Sequence, residues 1–210
     1  ILLFFLPAII YYKYIYNIMD FNDKKYWETF YSTNNINKNC SDFCIFVMNY
    51  FKDKNILNIL DCGCGNGRDS NALSNISNVD AVDNCGFLPN DINNVKFYID
   101  DFVTINKSKY DLIYSRFTFH SITNEQQISF LDTINVNSYL AIETRSKKSE
   151  NDNVFHGKTH YRNYTDIDYL KNIFTLKKFE IIFIKEDLNF AKYKNENPIC
   201  IRVICKKTAF

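Results

Sequence analysis

Short apolar runs and helix-spaced apolar residues alternate along this chain from residue 26 almost to its end. Apolar positions recurring at helical intervals predict a short amphipathic helix over Tyr26–Tyr31 and further helices over Phe43–Phe51, Arg68–Leu73, Asn124–Thr133 and Asp166–Ile173. Compact apolar runs predict strands at Ile56–Leu60, Val79–Val82, Val95–Ile99, Asp111–Tyr114, Tyr139–Glu143, Glu180–Ile184 and Ile199–Cys205. Strands interleaved with helices imply parallel βαβ units and a sheet covered on both faces. The last two strands have no clear helix between them, which suits an antiparallel ending, because only parallel neighbours require a crossover. The fold class expected is α/β, with no internal repeat and no interdomain linker.

Composition narrows the class without naming a function. At 210 residues, 46% hydrophobic and 23% charged, the chain fits one globular domain large enough for a central sheet. Formal net charge is +1, and no block of like charge would recruit phosphate backbone or anionic lipid, so nucleic acid is not an expected partner. The seven cysteines are odd in number and form no paired C-x-x-C clusters, which suits reduced thiols in a cytoplasmic protein and no zinc site. Residues 1–19 differ from the rest. They are largely apolar with only Lys13 charged, approach the roughly 20 residues that cross a bilayer, and are interrupted by Pro7. A non-native upstream extension, a membrane anchor and an extra core-capping helix are three readings of that segment. Residues 20–210 form the expected domain.

Five glycines occur in the whole chain, and three of them are Gly63, Gly65 and Gly67, in Asp61-Cys62-Gly63-Cys64-Gly65-Asn66-Gly67-Arg68. Between a strand and a helix, such a cluster permits a tight turn whose backbone approaches a ligand without Cβ obstruction. In open α/β sheets the carboxyl ends of the strands are where nucleotides bind. A dinucleotide loop would place its third glycine at position 68, where Arg68 stands, and the Asp61 carboxylate would repel a pyrophosphate. The same carboxylate can receive the ammonium of an amino-acid moiety. Asp83 ends the next strand, where an acid can take both ribose hydroxyls. Asp101 follows the third strand as an acceptor for an adenine amino group, with Phe102 beside it as a stacking face. Each feature alone also has a plain reading: a structural turn, a solvated acid, a helix cap.

In order and spacing these residues resemble the class I S-adenosylmethionine (SAM)-dependent methyltransferases. The glycine motif, Asp83, Asp101 and the fourth-motif strand Tyr110–Ser115 carry the resemblance, which spans roughly Tyr26 to Lys206. It implies a three-layer Rossmann-like sandwich with a mostly parallel seven-stranded sheet of order 3-2-1-4-5-7-6, strand 7 alone antiparallel. It implies SAM as cofactor, held by Asp61, Gly63, Cys64, Gly65, Gly67, Asp83, Asp101, Phe102 and Ser115. The Asn/Asp-Pro-Pro-Tyr tetrad of base-flipping relatives is absent after the fourth strand, where Ser115-Arg116-Phe117 stands. A nucleic-acid methyltransferase and a non-catalytic SAM-binding regulator are the rival readings.

The acceptor side is less sharply marked. Arg116 and His120 follow the fourth strand at the rim where a sulfonium would face its acceptor, and Tyr161 lies further along; these are the candidate catalytic groups, His120 as a general base or else a packed core residue. Arg145, His160 and Arg162 are the candidate acceptor contacts, since guanidinium forks suit carboxylate or phosphate, while surface ion pairing is the plain alternative. His156 and His160 are four apart, but Gly157 intervenes and no third ligand adjoins, so no metal is expected. Tyr114-Ser115-Arg116-Phe117, Glu143-x-Arg145 and His160-Tyr161-Arg162 resemble a tellurite-resistance-type subgroup of small methyltransferases, some of which accompany surface-glycan synthesis. That likeness implies a small-molecule or glycan-precursor acceptor, although Asn163 stands where a second arginine is expected. Tyr26, Trp27 and Tyr31 suit either an aromatic cap over the cofactor or plain core.

Overall fold

The computed structural model describes residues 24–32, 39–86, 88–92, 94–149, 161–193 and 196–209. The 1–19 segment, His156 and His160 therefore lie outside the described residues. Helix α1 covers residues 24–32. It is followed by α2 (Asp42–Phe51), β1 (Asn58–Cys62), α3 (Arg68–Leu73), β2 (Asn78–Asp83), β3 (Val95–Ile99), β4 (Leu112–Arg116), α4 (Asn124–Asp132), β5 (Tyr139–Arg145), α5 (Ile167–Leu176), β6 (Phe179–Asp187) and β7 (Cys200–Lys207).

The seven strands form one sheet of order β3-β2-β1-β4-β5-β7-β6. All neighbours are parallel except β5–β7 and β6–β7, so β7 is the single reversed strand, as expected. Two apolar clusters fill the space on either side. Strand alternation divides them: Ile59 of β1 faces the cluster with Phe43, Val47 and Phe51 of α2, and Leu60 faces the cluster with Phe130, Leu170 and Phe174 of α4 and α5.

Helix starts follow local chemistry. The Ser41 hydroxyl accepts the Cys44 N–H at α2, Thr123 and Gln126 form a reciprocal capping box at α4, and the Asp166 carboxylate accepts the Tyr169 N–H at α5. Three strands, β1, β4 and β7, start one or two residues later than their apolar runs predict. β1 begins at Asn58 because the Asp111 carboxylate accepts the N–H groups of Leu57 and Asn58 (2.9 and 3.0 Å), leaving Leu57 57% exposed. β1 and β4 extend through Cys62 and Arg116, so Asp61 and Ser115 are strand residues, and Cys62 is paired in register with Ser115.

Candidate functional site

The site grows from the end of β1. Past Cys62 the chain turns sharply: the N–H groups of Gly63 and Cys64 both donate to the Val82 carbonyl (2.7 and 3.1 Å), tying the loop to β2, and Gly67 opens α3. A β-carbon on Gly63 (φ +72°) would sit 2.1 Å from Thr118 Cγ2, so this glycine lets the loop close on the turn after β4. A β-carbon on Gly65 (φ +54°) would sit 2.1 Å from the Tyr31 hydroxyl oxygen. α1 therefore crosses the glycine loop, and Glu28 of the same helix accepts the Gly86 N–H past the end of β2 (3.3 Å). Tyr31 thus lies on the glycine loop, and Trp27 packs on Tyr31 and Phe30.

Three acids lie beneath and beside this loop. Asp61 is buried, and its Oδ2 accepts the Ser70 hydroxyl (2.6 Å). Burial pushes its carboxyl up to about 7; the Ser70 bond opposes that, the charges of Asp69 and Asp83 add to it, and Arg116 works against it. Asp69 accepts the Ser41 N–H, the Ser41 hydroxyl and the Tyr114 hydroxyl, each at 2.7 Å, so both its oxygens are engaged. Asp83, at the tip of β2, accepts the Gly65 N–H on Oδ2 and the Cys85 N–H on Oδ1, both at 2.9 Å. Burial raises its pKa, and those main-chain N–H groups, with that of Asn84, hold part of it down. The Asp83 carboxylate at this strand tip, beside the glycine loop, is an acceptor that fits a ribose diol. Buried Asp61 next to it fits a cationic group, which would offset its desolvation.

Asp101 lies at the third strand tip, exposed, where its oxygens accept the Val103 N–H (2.8 Å) and the Thr104 hydroxyl (3.2 Å). It caps its own turn and still presents spare acceptor capacity. Phe102 is half-buried; its ring packs edge-on to Phe130 at 5.9 Å and against the core below. Ser115 is buried, with its hydroxyl 2.6 Å from that of Thr118.

On the proposed acceptor side the structure brings Arg116 and Arg145 to the ring of Phe117, and each expected arginine has a partner. Arg116 Nε donates to Glu143 Oε1 (3.0 Å), and Arg202 Nε donates to Glu143 Oε2 (2.7 Å). Burial raises the Glu143 pKa, and the two guanidinium groups pull it back. Arg145 donates to Glu196 (3.2 Å), and the Arg116 and Arg145 guanidinium groups stand 4.5 and 5.5 Å from the ring centre of Phe117, a residue at φ +61°. Arg162 reaches the Tyr164 hydroxyl (3.4 Å) and lies close enough to Tyr26 of α1 to lower that phenol's pKa against burial. Residues 161–165 run along the turn after β4, where the Asn163 N–H donates to the His120 carbonyl (2.6 Å). Tyr161 is half-buried on the Glu125 side of this stretch.

His120 is buried, and its Nδ1 accepts the Arg145 main-chain N–H (3.3 Å) and lies 3.2 Å from the Thr144 hydroxyl. A neutral ring that accepts at Nδ1 carries its proton on Nε2, so this arrangement makes His120 a donor at Nε2 and not a base there. Sequence reasoning missed Glu196 and Phe117. Glu196 sits in a polar run with no spacing signal, and nothing in the sequence marks the left-handed conformation of Phe117.

No family model matches the sequence, and no curated protein is similar to it. Solved structures share its fold. NodS, an N-methyltransferase from Bradyrhizobium japonicum in complex with S-adenosylhomocysteine, superposes with a TM-score of 0.65 at 10% identity, covering 89% of this chain and 98% of that one. A SAM-dependent methyltransferase from Anabaena variabilis gives 0.64 at 15% identity over 88% and 94% of the two chains. The 1,6-didemethyltoxoflavin-N1-methyltransferase of Burkholderia thailandensis, with didemethyltoxoflavin and S-adenosylhomocysteine bound, gives 0.61 at 14% over 79% and 76%. The chain therefore has the class I SAM-dependent methyltransferase fold. Among the described residues, no helix is long and apolar enough to cross a membrane.

Proposed function

We propose that the protein is a SAM-dependent methyltransferase acting on a small molecule or glycan precursor. The observation that carries this reading is the Asp83 carboxylate held by the Gly65 N–H at the glycine loop, with buried Asp61 at the end of β1. Asp83 takes the ribose hydroxyls, Asp61 receives the charge of the ammonium, and the backbone of Gly63, Cys64, Gly65 and Gly67 lines the approach. Asp101 takes the adenine amino group, with the exposed part of Phe102 beside the base and Ser115 under the methionyl end.

The bound cofactor supplies an electrophilic methyl group for in-line displacement. The chain aligns and dries the site: α1 covers the glycine loop through Tyr31, and the Glu143 pair fixes Arg116 at the end of β4. Arg116 acts as a positioning group and His120 as a donor that orders the rim. Arg145, Arg162 and Tyr161 face the acceptor, with His160 the further acceptor contact expected from the sequence. The Tyr114–Phe117, Glu143–Arg145 and His160–Arg162 combination supports the small-molecule acceptor, and the absence of a charge block counts against nucleic acid.

The test is release of S-adenosylhomocysteine from SAM when the protein is incubated with fractionated small-molecule extracts. Release confined to one fraction and abolished by Asp83→Asn is expected. Release equal in wild type and Asp83→Asn would contradict the assignment.

A further inference from the structure

The loop between β6 and β7 carries a carboxylate that the cofactor site does not use. Glu196 is held by a main-chain bridge, its N–H donating to the Tyr193 carbonyl and its carbonyl accepting the Tyr193 N–H, both at 2.9 Å. The next residue is pinned as well, because the Asn197 side chain accepts the Asn189 main-chain N–H and donates to the Asn189 side-chain oxygen, both at 2.8 Å. Between these clamps the Glu196 side chain folds inward until only 10% of it is exposed. Its Oε2 accepts from Arg145 at the tip of β5, and among the described residues no donor reaches its buried Oε1. A desolvated carboxylate oxygen without a donor costs folding free energy that an incoming donor would restore.

Its surroundings identify the donor's place. Arg145 stands beside the ring of Phe117 at the end of β4, and both Arg162 and Glu196 lie within electrostatic reach of Tyr26 on α1. Through Arg145 and Tyr26, Glu196 thus stands by the tip of β5 and by α1, with Phe117 at the end of β4 beside Arg145, on the rim where the SAM reading places methyl delivery. A carboxylate or phosphate at this oxygen would be repelled, whereas an amine or hydroxyl would be held.

We infer that Glu196 Oε1 binds the protic nucleophile of the methyl acceptor, an N–H or O–H group, and takes its proton as the new N–CH3 or O–CH3 bond forms. This rests on the SAM reading above. The balance is simple: the methyl leaves sulfur with no electron pair, the sulfur keeps the S–C pair, the nucleophile gives its lone pair to carbon, and its proton goes to Glu196. Arg145 keeps the other oxygen fixed.

The probe is sinefungin, a cofactor analogue with a C–NH3+ group where SAM has its methyl-bearing sulfonium, compared with S-adenosylhomocysteine, which has neither. Calorimetry on wild type, Glu196→Gln and Glu196→Asp should show both variants binding S-adenosylhomocysteine as wild type does, with sinefungin affinity reduced by about tenfold. Sinefungin affinity unchanged in both variants would overturn the inference while leaving the SAM reading intact. Equal loss for the two ligands would also overturn it, assigning Glu196 a purely structural part through Arg145. If wild type binds neither ligand, the SAM reading itself fails.

Discussion

The hydroxyl oxygen of Tyr31 stands 2.1 Å from the position a β-carbon on Gly65 would take. One glycine thus serves two surfaces, the cofactor loop below and helix α1 above. Gly65→Ala should cost about 1–2 kcal/mol for the left-handed backbone alone and push Tyr31 off the loop. Trp27 is the single tryptophan and packs on Tyr31 at 6.0 Å, so its emission reports α1 directly. A red shift in the variant, with S-adenosylhomocysteine affinity reduced about tenfold or more, is the expected outcome. An unshifted spectrum would separate α1 from the loop.

Asp61 should make stability fall with rising pH. Burial raises its folded-state pKa to about 7, so the folded protein holds this proton where the unfolded chain has lost it. Its contribution is fully present below about pH 4, where even the unfolded carboxyl is protonated, and is lost as pH climbs through about 7. Asp61→Asn removes that slope and should be more stable than wild type near pH 8 by on the order of 1–4 kcal/mol, with cofactor binding lost. Parallel melting-temperature curves for the two proteins across that range would refute the assignment.

Glu143 satisfies two arginines at once, and both of its oxygens are buried. Glu143→Gln removes the anion from both guanidinium groups and turns an NH2 toward one of them, and denaturant unfolding should show a loss of about 3 kcal/mol. A midpoint equal to wild type would mean that Arg116 and Arg202 reach water or another acid.

Lys107 is buried with its ammonium donating to the Val103 carbonyl, the Ile105 carbonyl and the Thr133 hydroxyl at 3.1, 3.2 and 2.8 Å, over the ring of Phe130. Desolvation lowers its pKa to about 8, partly offset by Cys62 and Asp101. Lys107→Met orphans two carbonyls and should destabilise by about 2–3 kcal/mol at neutral pH. In wild type the lysine's contribution is present above its unfolded pKa of about 10.4 and is lost as pH falls through 8, a slope the variant should lack.

The fold was legible because its signals are local. Three of five glycines in one loop, acids after successive strands, and two late strands with no helix between them each follow from neighbouring residues. β1 was displaced by two residues because a strand buried on both faces shows no alternation, and the Asp111 bonds that set its start come from 53 and 54 positions away. The proposed cofactor side rests on the same kind of local signal. The Glu143 cluster joins residues 27 and 59 positions apart, and Glu196 meets Arg145 across 51, separations that no spacing rule spans. His120 was found by type and position, but its tautomer depends on a main-chain N–H from β5 that only the folded chain supplies.

The most direct test is calorimetric titration of S-adenosylhomocysteine into wild type and Asp83→Asn, with melting curves taken on both. Saturable single-site heat in wild type, an affinity at least about tenfold weaker in Asp83→Asn, and matched melting curves are the expected result. Folded wild type that gives no heat at millimolar ligand, or an Asp83→Asn protein that binds equally well, would contradict the cofactor site described.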